Sequence, residues 1–311
     1  MRKILLLLVL TLAFFTSCDN IVPIASIDPY KETAKENYYE TPLTDLNGND
    51  FPTTEADDFK ILLISDTHFG KAKSGTFFKT EEFEKYITET TDILSTSDFI
   101  VNLGDVSDNS EQAQFDAYQK WSKELFDGKP IVNVIGNHDN RNGGVQRFID
   151  TVANTDSTYY RFNASDVQFY VVDSAFRTLG RQQLDHLMKV LEENKDEKKI
   201  ILTHIPLYGS ITNFYASFAD EKERNFLLSR FSRYGVNLLL TGHKHVPESY
   251  YDYTDSFTEI VVNGFHGESF RGSVPAFYVC EYKKADSSFT IDAYFYKDDT
   301  FSKTNSHTYT L

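Results

Sequence analysis

The sequence predicts an α/β fold in which two mixed β-sheets pack against each other and helices flank them. Three observations carry this expectation. Short continuous apolar runs such as FKILLIS (59–65) read as strands buried on both faces. Segments with helical spacing alternate with such runs through the middle of the chain. From Phe257 onward the pattern changes to strands alone, and alternation followed by an all-strand end suggests two packed sheets.

Taken in order, FKILLIS is followed by an expected helix over 80–94, and DFIVNLGD makes the second strand. A helix over 111–126 leads to PIVNVIGN, and YYRFN with VQFYVVDS reads as a hairpin. Leu184, Leu187, Met188 and Leu191 recur at helical spacing within 180–193. KKIILTH, a helix over 221–234 and VNLLLTGH follow, then the strands TEIVVNG, AFYVCEY and SFTIDAYFY. No internal repeat is present, and one domain over 58–311 is the most economical division.

With 311 residues, 41% apolar and 25% charged, the chain has the composition of a globular protein rather than a disordered one. Its formal charge of -15 argues against a nucleic-acid-binding surface, whose affinity rests on Lys and Arg neutralising phosphates. Two cysteines, Cys18 and Cys280, exclude a disulfide framework and a cysteine-rich zinc module. Cys280, inside AFYVCEY, reads as a small buried hydrophobe.

Arg2 and Lys3, an apolar run from Ile4 to Phe15, and the small residues Thr16 and Ser17 form a secretory signal over 1–17. The run is shorter than the roughly 20 residues that span a bilayer. Cys18 directly after Thr16-Ser17 resembles the lipobox of bacterial lipoproteins, although Phe15 departs from the usual leucine. That resemblance implies an exported, membrane-anchored lipoprotein held through acylated Cys18. Residues 18–57, with Pro23, Pro29, Pro42 and Pro52 and no helical period, read as a polar tether.

Several apolar strands end in small polar clusters: SDTH, NLGD, IGNHD, LTHIP and TGHKH. Ligands in α/β sheets sit beyond the carboxyl ends of the strands. That crevice would collect Asp66, His68, Asp105, Asn137, His138, His204, His243 and His245, five of the eight histidines of the chain. A lone histidine after a strand is usually a hydrogen-bonded loop residue; the concentration argues for a metal site. Imidazoles and carboxylates without thiolates suit Zn, Mn, Fe or Co. Asp66-Thr67-His68 and His243-Lys244-His245 each space two ligands so that an extended backbone projects them to one side. Seven ligands exceed what one ion takes, which favours two metals with a carboxylate between them. Gly104, Gly136 and Gly242 are expected to let the backbone turn sharply toward the site.

The ordered series Asp66-x-His68, GDVSD (104–108), GNHD (136–139), His204 and GHKH (242–245) resembles the calcineurin-like metallophosphoesterase superfamily. Asp108 stands where purple acid phosphatases carry a tyrosine, so the series is more similar to the branch containing bacterial cyclic-nucleotide phosphodiesterases (class III). The resemblance implies a phosphohydrolase acting on a phosphomonoester or phosphodiester, with two divalent or trivalent transition-metal ions (Mn, Fe or Zn). It implies that Asp66, His68 and His245 hold the first metal and Asp105 bridges. Asn137, His204 and His243 complete the second. A hydroxide bridging the metals would be the nucleophile. His138 would serve the substrate as hydrogen-bond donor or general acid, and Asp139 would orient His138 or a neighbouring loop.

Other residues are weighed against plainer roles. Asp108 is either a loop carboxylate or a neighbour of a metal ligand. Asp173 reads as a turn residue, His186 as exposed, and His307 as part of a tail without a role. His266 follows a strand and could line the cleft, but a structural role is favoured. Arg141 could contact a substrate phosphate, with a surface salt bridge the simpler reading. Tyr208, Phe214, Tyr215 and Phe218 read equally as a substrate wall or as core. The alternative to an enzyme is a non-catalytic scaffold or binding protein, which would be expected to lose ligands that this chain keeps.

Overall fold

The computed structural model describes residues 44–45 and 56–311, apart from 73, 154, 208–215, 247–248 and 254–256. The expected signal, Cys18 and nearly all of the expected tether lie outside the described residues. One sheet runs Thr300–Thr310 (β15), Ser288–Lys297 (β14), Ala276–Lys283 (β13), Phe59–Ile64 (β2), Phe99–Asn102 (β4), Ile131–Asn133 (β5). The other runs Thr44–Asp45 (β1), Tyr160–Ala164 (β6), Val167–Val172 (β7), Lys198–Thr203 (β8), Leu238–Thr241 (β9), Phe257–Val261 (β11), Ser249–Tyr253 (β10). Both are mixed: β2, β4 and β5 are parallel neighbours, as are β7, β8, β9 and β11, while the remaining pairs are antiparallel except β1 with β6. Thr76–Phe77 (β3) and Gly267–Glu268 (β12) form a separate antiparallel ladder.

Side-chain alternation explains why the two sheets stack. In β2, Phe59, Ile61 and Leu63 face the other sheet, while Leu62 and Ile64 join a second cluster with Phe83, Ile87 and Ile93. In β7 and β8, Phe169, Val171, Ile200 and Leu202 face inward, and Tyr170 and Ile201 meet Leu184, Leu187, Leu227 and Phe231. Each fully buried Leu, Ile or Phe contributes about 1.5–3 kcal/mol. The helices on these outer faces include Thr80–Lys85 (α1), Ile93–Thr96 (α2), Gln112–Leu125 (α3), Val145–Thr151 (α4), Arg181–Glu193 (α5) and Glu221–Arg233 (α6). Cys280 is buried between the sheets, as its setting predicted.

Several elements differ from the sequence expectation. The helix expected over 80–94 breaks into α1, a π turn over Tyr86–Thr90, and α2. The Thr88 and Thr91 hydroxyls take the carbonyls of Glu84 and Tyr86, competing with the helical ladder there. The expected tail is β15, whose mostly exposed side chains give it no apolar alternation to read. Its His307 ring lies 4.0 Å from that of Tyr250 in β10, another strand that the sequence did not signal. Within the expected tether, β1 extends the edge of the second sheet.

Candidate metal centre

Five strands deliver the cluster, three from one sheet and two from the other. The chain leaves β2 into Asp66 and His68, β4 into Asp105, and β5 into Asn137 and His138; β8 leads to His204, and β9 to His243 and His245. The loops are spliced by backbone bonds, Asp66 N–H to Gly104 O (2.9 Å), His68 N–H to Asp105 O (2.9 Å) and Gly242 N–H to His204 O (3.1 Å). The site therefore lies at the carboxyl ends of the parallel strands, where the two sheets meet.

The side chains form two groups that share one residue. Asp66, His68, Asp105 and His245 bring one ligand atom each to within 4.8 Å of one another, and so do Asp105, His204 and His243. In the first group His245 Nε2 lies 2.8 Å from Asp66 Oδ1 and 3.1 Å from His68 Nε2. In the second, His204 Nε2 lies 3.2 Å from Asn137 Oδ1. Asp105 Oδ2 stands between the groups, 3.5 Å from His68 Nε2 and 3.2 Å from His204 Nε2. It is buried, and no donor reaches it with hydrogen-bond geometry. A buried carboxylate oxygen without a donor, among imidazole nitrogens aimed at one another, fits cations rather than a closed hydrogen-bond network.

Electrostatics follow from this crowding. Burial would raise Asp66, but His245 and His204 hold its carboxyl well below the usual range. Burial likewise opposes Asp105, which His204 and His138 bring down to about 2. Burial depresses His204, yet Asp105 raises it to about 9; burial and its histidine neighbours push His243 down to about 3. The two carboxylates are thus charged, and positive charge is drawn between them. His204 Nδ1 bonds the Leu103 carbonyl at 2.8 Å, leaving Nε2 for the cluster.

The local backbone is unusual at the same positions. Asp66, His68, Asp105, His243 and His245 have φ of 57, 44, 55, 73 and 48°, a region that side chains rarely adopt. Of the three expected turn glycines, only Gly104 uses a positive φ (104°). Gly136 is needed for close approach instead: a Cβ there would stand 2.1 Å from Asp105 Oδ1. Gly242 is similar, with Ser65 Oγ 2.0 Å from such an atom.

His138 and Asp139 occupy different roles. His138 Nδ1 donates to the Asp108 carbonyl at 2.6 Å, so Nε2 is the acceptor for Arg141 Nη2 at 2.8 Å. Burial keeps this imidazole below its usual pKa, and as placed its Nδ1 donates to a carbonyl while its Nε2 accepts from Arg141. Asp139 does not bond the His138 ring. Its carboxylate accepts from Val106 N, Ser107 N and Oγ, and Gly136 N, tying the GDVSD and GNHD loops together. Burial and Asp105 nevertheless push Asp139 up to about 7. Asp108 lies against the site, Oδ1 3.5 Å from His68 Nδ1. Arg141 sits on His138 rather than in a surface salt bridge.

A further buried set was not expected from the sequence. Glu268 Oε1 lies 3.2 Å from His245 Nδ1, 3.2 Å from His266 Nε2 and 2.7 Å from Lys71 Nζ, and Oε2 is 2.9 Å from Arg271 Nε. His266 Nδ1 bonds the Asp66 carbonyl at 2.8 Å. The strand-end position of VNGFHGES after β11 was the available signal for His266; nothing in the sequence marked Glu268. Asp173 is the expected turn residue, accepting from Thr158 Oγ1 and Ala175 N. His186 is half-buried against Tyr159 rather than exposed. Phe218 is core, and Tyr208, Phe214 and Tyr215 lie outside the described residues.

The chain matches the calcineurin-like phosphoesterase family model over residues 59–247, more than half its length, and belongs to that family, whose members bind divalent metals. Among solved structures it is similar to GAP50, the anchor in the inner membrane complex of Plasmodium, at 15% identity and a TM-score of 0.60, covering 82% of this chain and 90% of that one. Vacuolar protein sorting 29 from Cryptosporidium parvum matches at 12% identity and a TM-score of 0.46, over 82% of this chain and 100% of that one. The calcineurin-like phosphoesterase YfkN from Bacillus subtilis matches at 11% and 0.41, over 81% and 89%. No curated protein matches the sequence. No described helix is long and apolar enough to cross a membrane.

Proposed function

We propose that this chain is a metal-dependent phosphohydrolase that cleaves a phosphomonoester or phosphodiester with two bound transition-metal ions. The observation that carries the reading is the donorless Asp105 Oδ2 between His68 and His204. Asp66, His68 and His245 would hold one ion, Asn137, His204 and His243 the other, with Asp105 between them. Bound there, the ions supply an activated water at neutral pH and draw charge from the phosphoryl oxygens.

The chain's own residues do the rest. Asp139 holds the loop that carries His138 against the loop that carries Asp105. The Asp108 carbonyl fixes the His138 tautomer, with the proton on Nδ1. An arriving phosphoryl group offers Arg141 an anion, which frees His138 Nε2 to take up a proton from solvent and deliver it to the departing oxygen. Export and anchoring through acylated Cys18 form part of the proposal and rest on the sequence of residues 1–18.

Fold alone does not establish hydrolysis, since GAP50 shares it and is described as an anchor. A non-catalytic scaffold has no need of a complete ligand set, and this chain retains all seven residues. The test is a metal-reconstituted screen of p-nitrophenyl phosphate, its bis-ester, cyclic nucleotides and glycerophosphodiesters. His138→Ala is expected to keep its metal and lose about 10²–10⁴-fold in turnover. Hydrolysis of none, with metal content verified, supports the scaffold; parallel loss of metal and turnover in the variant refutes the role of His138.

A further inference from the structure

Next to the metal cluster, His68, Phe69, Lys71, Phe78, Thr80 and Phe265 line a cavity of about 240 Å³. His68 belongs to both, so the cavity borders the cluster across the His68 ring. Three aromatic rings from three separate segments wall it. Phe265 is buried, and Phe69 and Phe78 are half-buried. The walls are backed: Phe69 packs on Trp121 at 5.3 Å, and Phe265 on Phe83 at 4.9 Å. Phe78 is set by the β3–β12 ladder, in which Phe77 pairs with Gly267. A Cβ at Gly267 would meet the Phe77 ring at 2.1 Å, so only glycine permits that register. The ladder brings the Phe78 ring to 5.4 Å from His266, whose own ring is 5.1 Å from His68.

Charge decides what such a cavity takes. Among its described lining residues the one lysine or arginine, Lys71, is bound to Glu268 at 2.7 Å and His266 at 2.9 Å, so its charge is compensated and a second anion gains little from it. Apolar rings from three segments favour a flat apolar group, through face and edge contacts that add to area burial. A dry cavity of about 150 Å³ accepts benzene, so this volume admits a substituted ring.

We infer that the cavity receives the leaving group of the phosphoester, and that this group carries a flat aromatic ring. The inference rests on the phosphohydrolase reading. Its test compares phenyl phosphate with ethyl phosphate on the manganese-loaded protein, in wild type, Phe78→Ala and Phe78→Leu. Taking the ratio of kcat/KM for the two esters, and comparing it between proteins, cancels the difference in leaving-group acidity. The aryl-to-alkyl ratio is expected to fall about tenfold in both variants. Phenylphosphonate is expected to inhibit the wild type about tenfold more tightly than methylphosphonate, a readout that needs no variant to fold. An unchanged ratio with equal inhibition overturns the pocket assignment while leaving the phosphohydrolase reading intact. Hydrolysis of neither ester, nor of bis-p-nitrophenyl phosphate or any other substrate of the screen above, with phenylphosphonate failing to bind, overturns both.

Discussion

Asp66, His68, Asp105, His243 and His245 all sit in the left-handed region of backbone space. Each such non-glycine residue costs about 1–3 kcal/mol and persists only where its surroundings over-determine it. Here the surroundings are backbone bonds between loops and glycines that admit close approach. Gly136 is the most exacting of these. Gly136→Ala places a methyl against Asp105 Oδ1 and its amide, and should displace the carboxylate shared by the two groups. The expected outcome is loss of at least one bound ion per chain by elemental analysis; an unchanged ion count contradicts the packing argument. The seven positions that gather at the strand ends were legible because each falls in a short contiguous block after an apolar run. The neutral, Arg141-capped state of His138 was not legible, because it depends on a carbonyl and a guanidinium supplied by neighbouring turns.

Among the elements, β12 and α6 each carry a buried carboxylate with a testable role. Glu268 in β12 bonds Nδ1 of His245 and so directs Nε2 toward Asp66. Such partners commonly tune metal affinity 10–100-fold. Glu268→Gln should weaken manganese binding by about that factor in competition with a chelator, and unaltered affinity would remove Glu268 from the site. Glu223 in α6 accepts from Leu179 N at 2.8 Å, and burial raises its pKa to about 7. The folded chain therefore binds a proton that the unfolded chain has released between pH 4.5 and 7, so this contribution to stability is present in acid and lost as pH rises through 7. Glu223→Gln, which keeps the acceptor and removes the charge, should raise the melting temperature at pH 8 relative to wild type and not at pH 4.5. Equal effects at both pH values would contradict the assignment. Neither carboxylate was visible beforehand, since each gains its meaning from partners distant in sequence. The buried strands were readable from their apolar runs; β10 and β15 were not, because edge strands with half-buried or exposed side chains lack the pattern.

At the scale of the molecule, the two sheets each contribute ligands, so the cluster exists only when the sandwich is closed. Strand order was beyond the sequence: β13 inserts antiparallel beside β2 from more than two hundred residues away, and no local signal announces it. The shared end of the sheets was nevertheless implied by polar clusters recurring after successive apolar runs. Metal binding should couple to global stability, with ions at about 100 times their Kd adding about 2.7 kcal/mol for each site. The most direct check is a manganese titration followed by electron paramagnetic resonance, on the wild type and on Asp105→Ala. Two ions per chain with an exchange-coupled signal, reduced to uncoupled ions in the variant, is the predicted result. One ion or none in the wild type, or two that show no coupling, would contradict a carboxylate shared between two metals.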